Sequence, residues 1–77
     1  MDISKWNKAM ESFQELLGWE KGMDTMVDIK RTAYGKKSIL DIEGKDERRL
    51  LHRLRRTYDR VRASRESVQG WKEDDAS

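Results

Sequence analysis

Cysteine is absent from the 77-residue chain, and hydrophobic residues never follow one another for more than two positions. Without cysteine, neither a disulfide framework nor a cysteine-ligated metal site can form. The short apolar runs exclude a membrane span, and the first residues contain no apolar segment of the kind that a signal peptide needs. These absences favour an intracellular protein, in the cytoplasm or in the cytoplasm of a host cell.

Residues that could perform catalysis are also scarce. His52 is the only histidine, and no group of His, Cys, Asp and Glu residues has the spacing of a zinc site. The segment from Gly35 to Ser38 matches only the end of a P-loop, whose first glycine would fall at position 30, which is a lysine. The sequence therefore predicts a protein that is not an enzyme and binds neither a metal nor a cofactor.

Only 35% of the residues are hydrophobic, whereas 42% are charged. A chain of this length forms one domain at most, and its hydrophobic core is thin. We predict a single domain over residues 1–70. Residues 71–77, mostly acidic and polar, are predicted to be a disordered tail.

The first predicted element is a helix over residues 3–17. Trp6, Met10, Phe13 and Leu17 recur at the spacing of one helical face. Gly18 follows where a helix commonly ends in a left-handed residue, and we expect Trp19 to fold back against Phe13.

The middle of the chain is ambiguous. Val27–Lys30 and Leu40–Glu43 alternate apolar and charged residues, which is the period of a half-buried strand. Gly35 between them suits a hairpin loop. The preferred fold is therefore α+β, a helix–β-hairpin–helix domain with a long C-terminal helix. The alternative is an all-α three-helix bundle, in which residues 23–34 form a short helix.

The last predicted element is a helix over residues 46–68, about 35 Å long, whereas the first helix reaches only about 22 Å. Its apolar stripe consists of Leu50, Leu51, Leu54, Tyr58, Val61 and Val68. The far end of such a helix extends beyond any partner in the same chain. Val61, Val68 and Trp71 are therefore candidate partner-binding residues, and we expect a homodimer through this helix.

The basic charge is concentrated on the C-terminal helix. Residues 45–65 hold nine cations and three anions, a net charge of +6, although the whole chain carries only +2. Four of these cations share one flank of the helix at i, i+4, i+7 and i+11, and we call them the arginine stripe: Arg49, Arg53, Arg56 and Arg60. A second flank carries Arg48, Arg55 and Arg62, two of which have an acid four residues later, Asp59 and Glu66.

The stripe predicts binding to a polyanion. Guanidinium groups present a planar fork to two phosphate or carboxylate oxygens, and they stack on bases. Lys36 and Lys37, at the tip of the predicted hairpin, would add contacts to the phosphate backbone. We interpret the chain as a small nucleic-acid-binding accessory or regulatory protein, with DNA favoured over RNA.

Two other interpretations stay open. The arginines could pair with acids of their own chain, for which Asp2, Glu11, Glu15 and Glu20 are candidates. Alternatively, the chain could be a protein–protein interaction module, such as a phage-type structural adaptor or an inhibitor that docks on an acidic face of a host protein. The helix–hairpin–helix order is similar to that of the small head-completion proteins of tailed phages. This similarity concerns element order alone and assigns no residue a role.

Overall fold

The chain folds into helices alone in the part that the structure describes. A computed structural model describes the backbone of residues 1–76 and the side chains of residues 1–65. The elements are α1 (Ile3–Leu17), α2 (Trp19–Tyr34), a 3-10 turn (Ile39–Asp41) and α3 (Lys45–Ala76). No strand occurs within residues 1–76. The α+β prediction is therefore wrong, and the alternative, an all-α three-helix bundle, is correct.

The first helix follows its sequence pattern. Asp2 caps its start, where the backbone N–H of Ser4 donates to Asp2 Oδ1 at 3.0 Å. This hydrogen bond lowers the pKa of the Asp2 carboxyl below its ordinary value. Trp6 and Phe13 are buried. Gly18 ends the helix at a φ of 92°, with its N–H donating to the carbonyl of Gln14 at 2.8 Å.

Trp19 does not fold back on Phe13. It begins α2 directly after Gly18, and 71% of its surface is exposed. With a single residue between α1 and α2, the chain reverses at Gly18 and the two helices pack closely against each other. A Cβ atom placed on Gly22 would lie only 2.6 Å from the backbone nitrogen of Gln14. The glycine therefore permits a backbone-to-backbone contact that no other residue allows.

The predicted hairpin is replaced by the second half of α2 and the 3-10 turn. The first predicted strand, Val27–Lys30, lies inside α2, where buried Met26 is followed by half-buried Ile29 three residues later. Gly35 ends this helix at a φ of 59° and does not reverse a pair of strands. In the second predicted strand, Leu40 is 62% exposed and Ile42 is fully buried. A strand would direct both side chains to the same face, whereas the 3-10 turn separates them.

The helix–hairpin–helix order no longer applies, so the similarity to head-completion proteins has no basis in the fold. The core instead lies where all elements meet. Its buried members are Met1, Trp6, Phe13, Met26, Ile42, Leu50 and Leu54. At its edge, the ring of Tyr58 meets that of Phe13 edge-on, with 5.6 Å between the centroids. The amino group of Met1 donates to the carbonyls of Ile39 and Ile42.

The third helix begins at Lys45, close to its predicted start, and has 32 residues against 15 in α1 and 16 in α2. Its start is tied to the end of α2, because the Tyr34 hydroxyl donates to the carbonyl of Asp46 at 2.9 Å. The side chains of Val68 and Trp71, and the predicted tail over 71–77, lie outside the residues described with side chains. Among the described residues, no helix combines the length and the apolar character needed to cross a membrane.

Candidate nucleic-acid interface

The arginine stripe lies on a single helix. All four of its residues fall within α3, and all four side chains are exposed. Eleven residues separate the first from the last, so at 1.5 Å per residue the stripe is about 16 Å long. Leu50 and Leu54, each one position after a stripe residue, are buried in the core and fix the orientation of the helix, with the stripe beside its buried face.

The stripe runs along the side of α3 that faces α2. Arg49 and Arg53 line a cavity of about 360 Å³ together with Ala33 and Tyr34 of α2. Arg53 also borders an adjacent cavity of about 280 Å³, whose α2 residues are Thr25, Asp28, Ile29 and Thr32. Arg60 lines a further cavity with Leu17 and Lys21. Arg49, Arg53 and Arg60 thus lie next to residues of α2.

No carboxylate within residues 1–65 lies within 4.0 Å of a stripe guanidinium. The ion pairs of this region are Lys5–Glu47, Arg31–Asp28, Lys37–Asp46 and Arg55–Asp59. None of the proposed internal partners on α1 and α2 reaches the stripe: Asp2, Glu11, Glu15 and Glu20. Asp28, which shares a cavity with Arg53, pairs with Arg31 at 3.9 Å. In the described part of the chain, the stripe therefore has no internal carboxylate partner.

The second flank of α3 differs, as its sequence pattern predicts. Arg55 Nε lies 3.3 Å from Asp59 Oδ2. Arg62 also has an interaction partner within the protein, and its predicted partner Glu66 lies outside the side chains described. This flank faces α1, where Arg55 and Arg62 border a cavity of about 370 Å³.

Lys36 and Lys37 follow the end of α2 and are not at a hairpin tip. Lys37 Nζ lies 3.6 Å from Asp46 Oδ2, and both side chains remain about two-fifths exposed. Asp46 precedes Arg49 by about one helical turn, so Lys37 lies near the first residue of the stripe, although it already has an acidic partner. Lys36, the next residue toward α2, is exposed.

Of the three predicted partner-binding residues, the structure describes the side chain of Val61 alone. Val61 is half-buried and lines a cavity of about 450 Å³ with Leu17 and Lys21. Part of its surface is therefore covered by the chain itself. Val68 and Trp71, the other two candidates, are among the residues whose side chains are not described.

Two residues of this surface escaped the sequence analysis. Lys21 of α2 lies beside Arg60, which adds a cation at the far end of the stripe, and Asp28 lies beside Arg53. Asp28 comes from a segment whose helical state the sequence left open, and Lys21 precedes that segment; both are separated from the stripe by more than 20 positions. Only the packing of α2 on α3 shows that they belong to the same surface.

No group of three or more His, Cys, Asp or Glu side chains in the described region could hold a metal ion. His52 is exposed on α3. Comparison of the chain with protein-family models, with curated proteins and with solved structures finds no match in any of the three. The function must therefore be argued from the surface alone.

Proposed function

We propose that the protein is a nucleic-acid-binding accessory or regulatory protein that holds the phosphate backbone with the arginine stripe. One observation carries the proposal: Arg49, Arg53, Arg56 and Arg60 are exposed in a row, and no carboxylate of residues 1–65 lies within 4.0 Å of them. Like charges at i, i+4 destabilise a helix by about 0.2–0.5 kcal/mol per pair. A polyanion that binds along the row removes this repulsion.

The dimensions suit a nucleic-acid duplex. Duplex DNA carries one phosphate charge per roughly 1.7 Å of its axis, so a stripe about 16 Å long can meet several phosphates at once. At the stripe's start, Lys36 is exposed beside Lys37 and extends the cationic surface toward the backbone of the same duplex. We propose duplex DNA, over RNA, as the partner of this straight row of guanidinium groups.

The surface favours contacts to phosphate over contacts to bases. Phosphate contacts fix position and orientation but carry no sequence information. The half-buried Tyr34, an aromatic residue that could have stacked on a base, uses its hydroxyl to hold α3. We therefore expect binding that tolerates many sequences and weakens strongly with salt.

The test compares two double variants with the same loss of charge. Arg53→Gln with Arg56→Gln removes the centre of the stripe, and Arg48→Gln with Arg55→Gln removes two arginines from the other flank. Fluorescence anisotropy with a labelled 20-base-pair duplex at about 100 mM salt gives the affinities. We expect the stripe variant to bind at least about tenfold more weakly than the flank variant, because each lost phosphate contact raises Kd.

Circular dichroism confirms that both variants retain the helical fold. Equal affinities of the two folded variants would contradict the proposal, because the interaction would then depend on net charge and not on the stripe. Failure of the unaltered protein to bind any duplex or single strand at low salt would contradict it as well.

A further inference from the structure

A second surface of the molecule carries an exposed tryptophan among acids. Trp19, at the start of α2, is the most exposed of the large hydrophobic residues described, at 71%. Together with Glu11, Gln14 and Glu15 of α1, it lines a shallow cavity of about 300 Å³. Met23 follows one helical turn later and is 38% exposed. Apolar area that stays exposed on a small domain commonly marks a contact surface.

The acids around this tryptophan have no cationic partner within the described side chains. Glu11, Glu15, Glu20 and Asp24 are all exposed, and none is in an ion pair within 4.0 Å. Residues 1–24 contain three cations and five anions, a net charge of −2. We call this surface the acidic patch: Glu11, Glu15, Trp19, Glu20, Met23 and Asp24.

Among the side chains of residues 1–65, the chain therefore carries a row of arginines and a group of acids, on different helices, and neither group is in an ion pair within 4.0 Å. We propose that the acidic patch binds the arginine stripe of a second copy of this chain. A guanidinium can bond to both oxygens of one carboxylate and can lie over the indole ring of Trp19. Glu11 and Glu15 are one turn apart, about 6 Å along the axis, which matches the separation of Arg49 from Arg53.

This contact joins two different surfaces and is therefore heterologous. Each copy offers one patch and one stripe, so association continues into a ring or a linear chain of copies. The contact uses the stripe that the proposed function assigns to phosphate, and nucleic acid and self-association compete for it. Because the contact depends on exposed charges, salt weakens it.

Two neutralised variants test this arrangement. The patch variant, Glu11→Gln with Glu15→Gln, keeps the stripe, and the stripe variant, Arg53→Gln with Arg56→Gln, keeps the patch. Sedimentation equilibrium at about 20 mM salt measures the mass of each and of their mixture. We expect the unaltered protein to exceed the 9.2 kDa of one chain with rising concentration, and each variant alone to stay near that mass.

The mixture gives the decisive result. In the mixture, the intact stripe of one patch-variant molecule can bind the intact patch of one stripe-variant molecule, and neither molecule can then bind a third. The mass of the mixture should therefore reach about 18 kDa, twice the mass of one chain, and rise no further. Trp19→Ala should weaken association of the otherwise unaltered protein severalfold. A mixture that remains near 9.2 kDa would overturn the proposal, as would an unaltered protein that stays monomeric at low salt.

Self-association and nucleic-acid binding are separable by the patch variant. It should lose self-association while binding a labelled duplex at least as tightly as the unaltered protein, since Glu11 and Glu15 take no part in the phosphate contact and the competing contact is removed. If no duplex binds but the mixture dimerises, the proposed function fails and this inference stands. If the duplex binds but the mixture stays monomeric, the inference alone fails.

Discussion

At the scale of single residues, two residues of α2 have neighbours in the fold that their sequence context does not predict. Asp28 lies in a segment whose local pattern fits either a strand or a helix, and Gly22 lies just before it. In the fold, Gly22 meets the backbone of α1, and Asp28 lies in a cavity beside Arg53 of α3. Gly22 allows α1 and α2 to approach closely, and Asp28 places a negative charge near Arg53 of the stripe.

Gly22→Ala should destabilise the protein although alanine is the better helix former. The added Cβ would lie 2.6 Å from Gln14 N, so the helices must separate, at a cost of about 1–3 kcal/mol of unfolding free energy. This exceeds the gain of roughly 1 kcal/mol in helix propensity. Urea denaturation measures the difference. Thr32→Ala, at an exposed site of the same helix, is the control and should change stability by less than about 0.5 kcal/mol. A Gly22→Ala protein as stable as the original would contradict the close packing of α1 on α2.

Asp28→Asn should strengthen nucleic-acid binding. The carboxylate borders the same cavity as Arg53, so it repels any phosphate that approaches this arginine. Removing its charge should lower Kd for a duplex about two- to fivefold at low salt, with the gain fading at high salt because exposed charges are screened. The matched control is Asp41→Asn, which makes the same charge change at an exposed site of the 3-10 turn, outside the stripe and the acidic patch, and should leave Kd nearly unaltered. Equal gains from both variants would show that only net charge matters.

At the scale of elements, the sequence predicts α1 and most of α3 outright, and it predicts α2 only as the alternative to a hairpin, over residues 23–34. The apolar residues of α1 and α3 recur over several turns, and a strand cannot reproduce that spacing. Around Val27 and around Leu40 the pattern extends over four residues only, and such a short alternation is compatible with either structure. Packing decides between them: Met26 and Ile42 both enter the core, while Leu40 stays outside.

Tyr34→Phe tests the connection between α2 and α3. The Tyr34 hydroxyl donates to the Asp46 carbonyl at 2.9 Å in a partly buried position. Its removal should lower the free energy of unfolding by about 1 kcal/mol, as for a typical internal hydrogen bond. Tyr58→Phe is the matched control, because no hydrogen bond of its hydroxyl is seen and its ring contact with Phe13 survives the change. If the two variants lose equal stability, the hydrogen bond contributes little.

At the scale of the whole molecule, the fold places basic and acidic side chains on different surfaces, which the small net charge of the chain does not reveal. The net charge is only +2, yet the stripe and the acidic patch lie on different helices with their charges unpaired in the described region. The four stripe residues can be placed on one flank from the sequence, because their spacing along one helix suffices, and their binding to nucleic acid stays a prediction. Lys21, Asp28 and the acidic patch were not found, because they depend on which helix packs beside which.

The most direct test of this account is to measure how many phosphates the stripe contacts. Duplex affinity should be measured at several salt concentrations for the unaltered protein and for Arg53→Gln with Arg56→Gln. Each contacted phosphate contributes about −0.9 to the slope of log K against log salt. We expect a slope near −4 for the unaltered protein, from about four contacts, and a slope shallower by about 2 for the variant. Identical slopes for the two proteins would contradict the claim that the stripe grips phosphate.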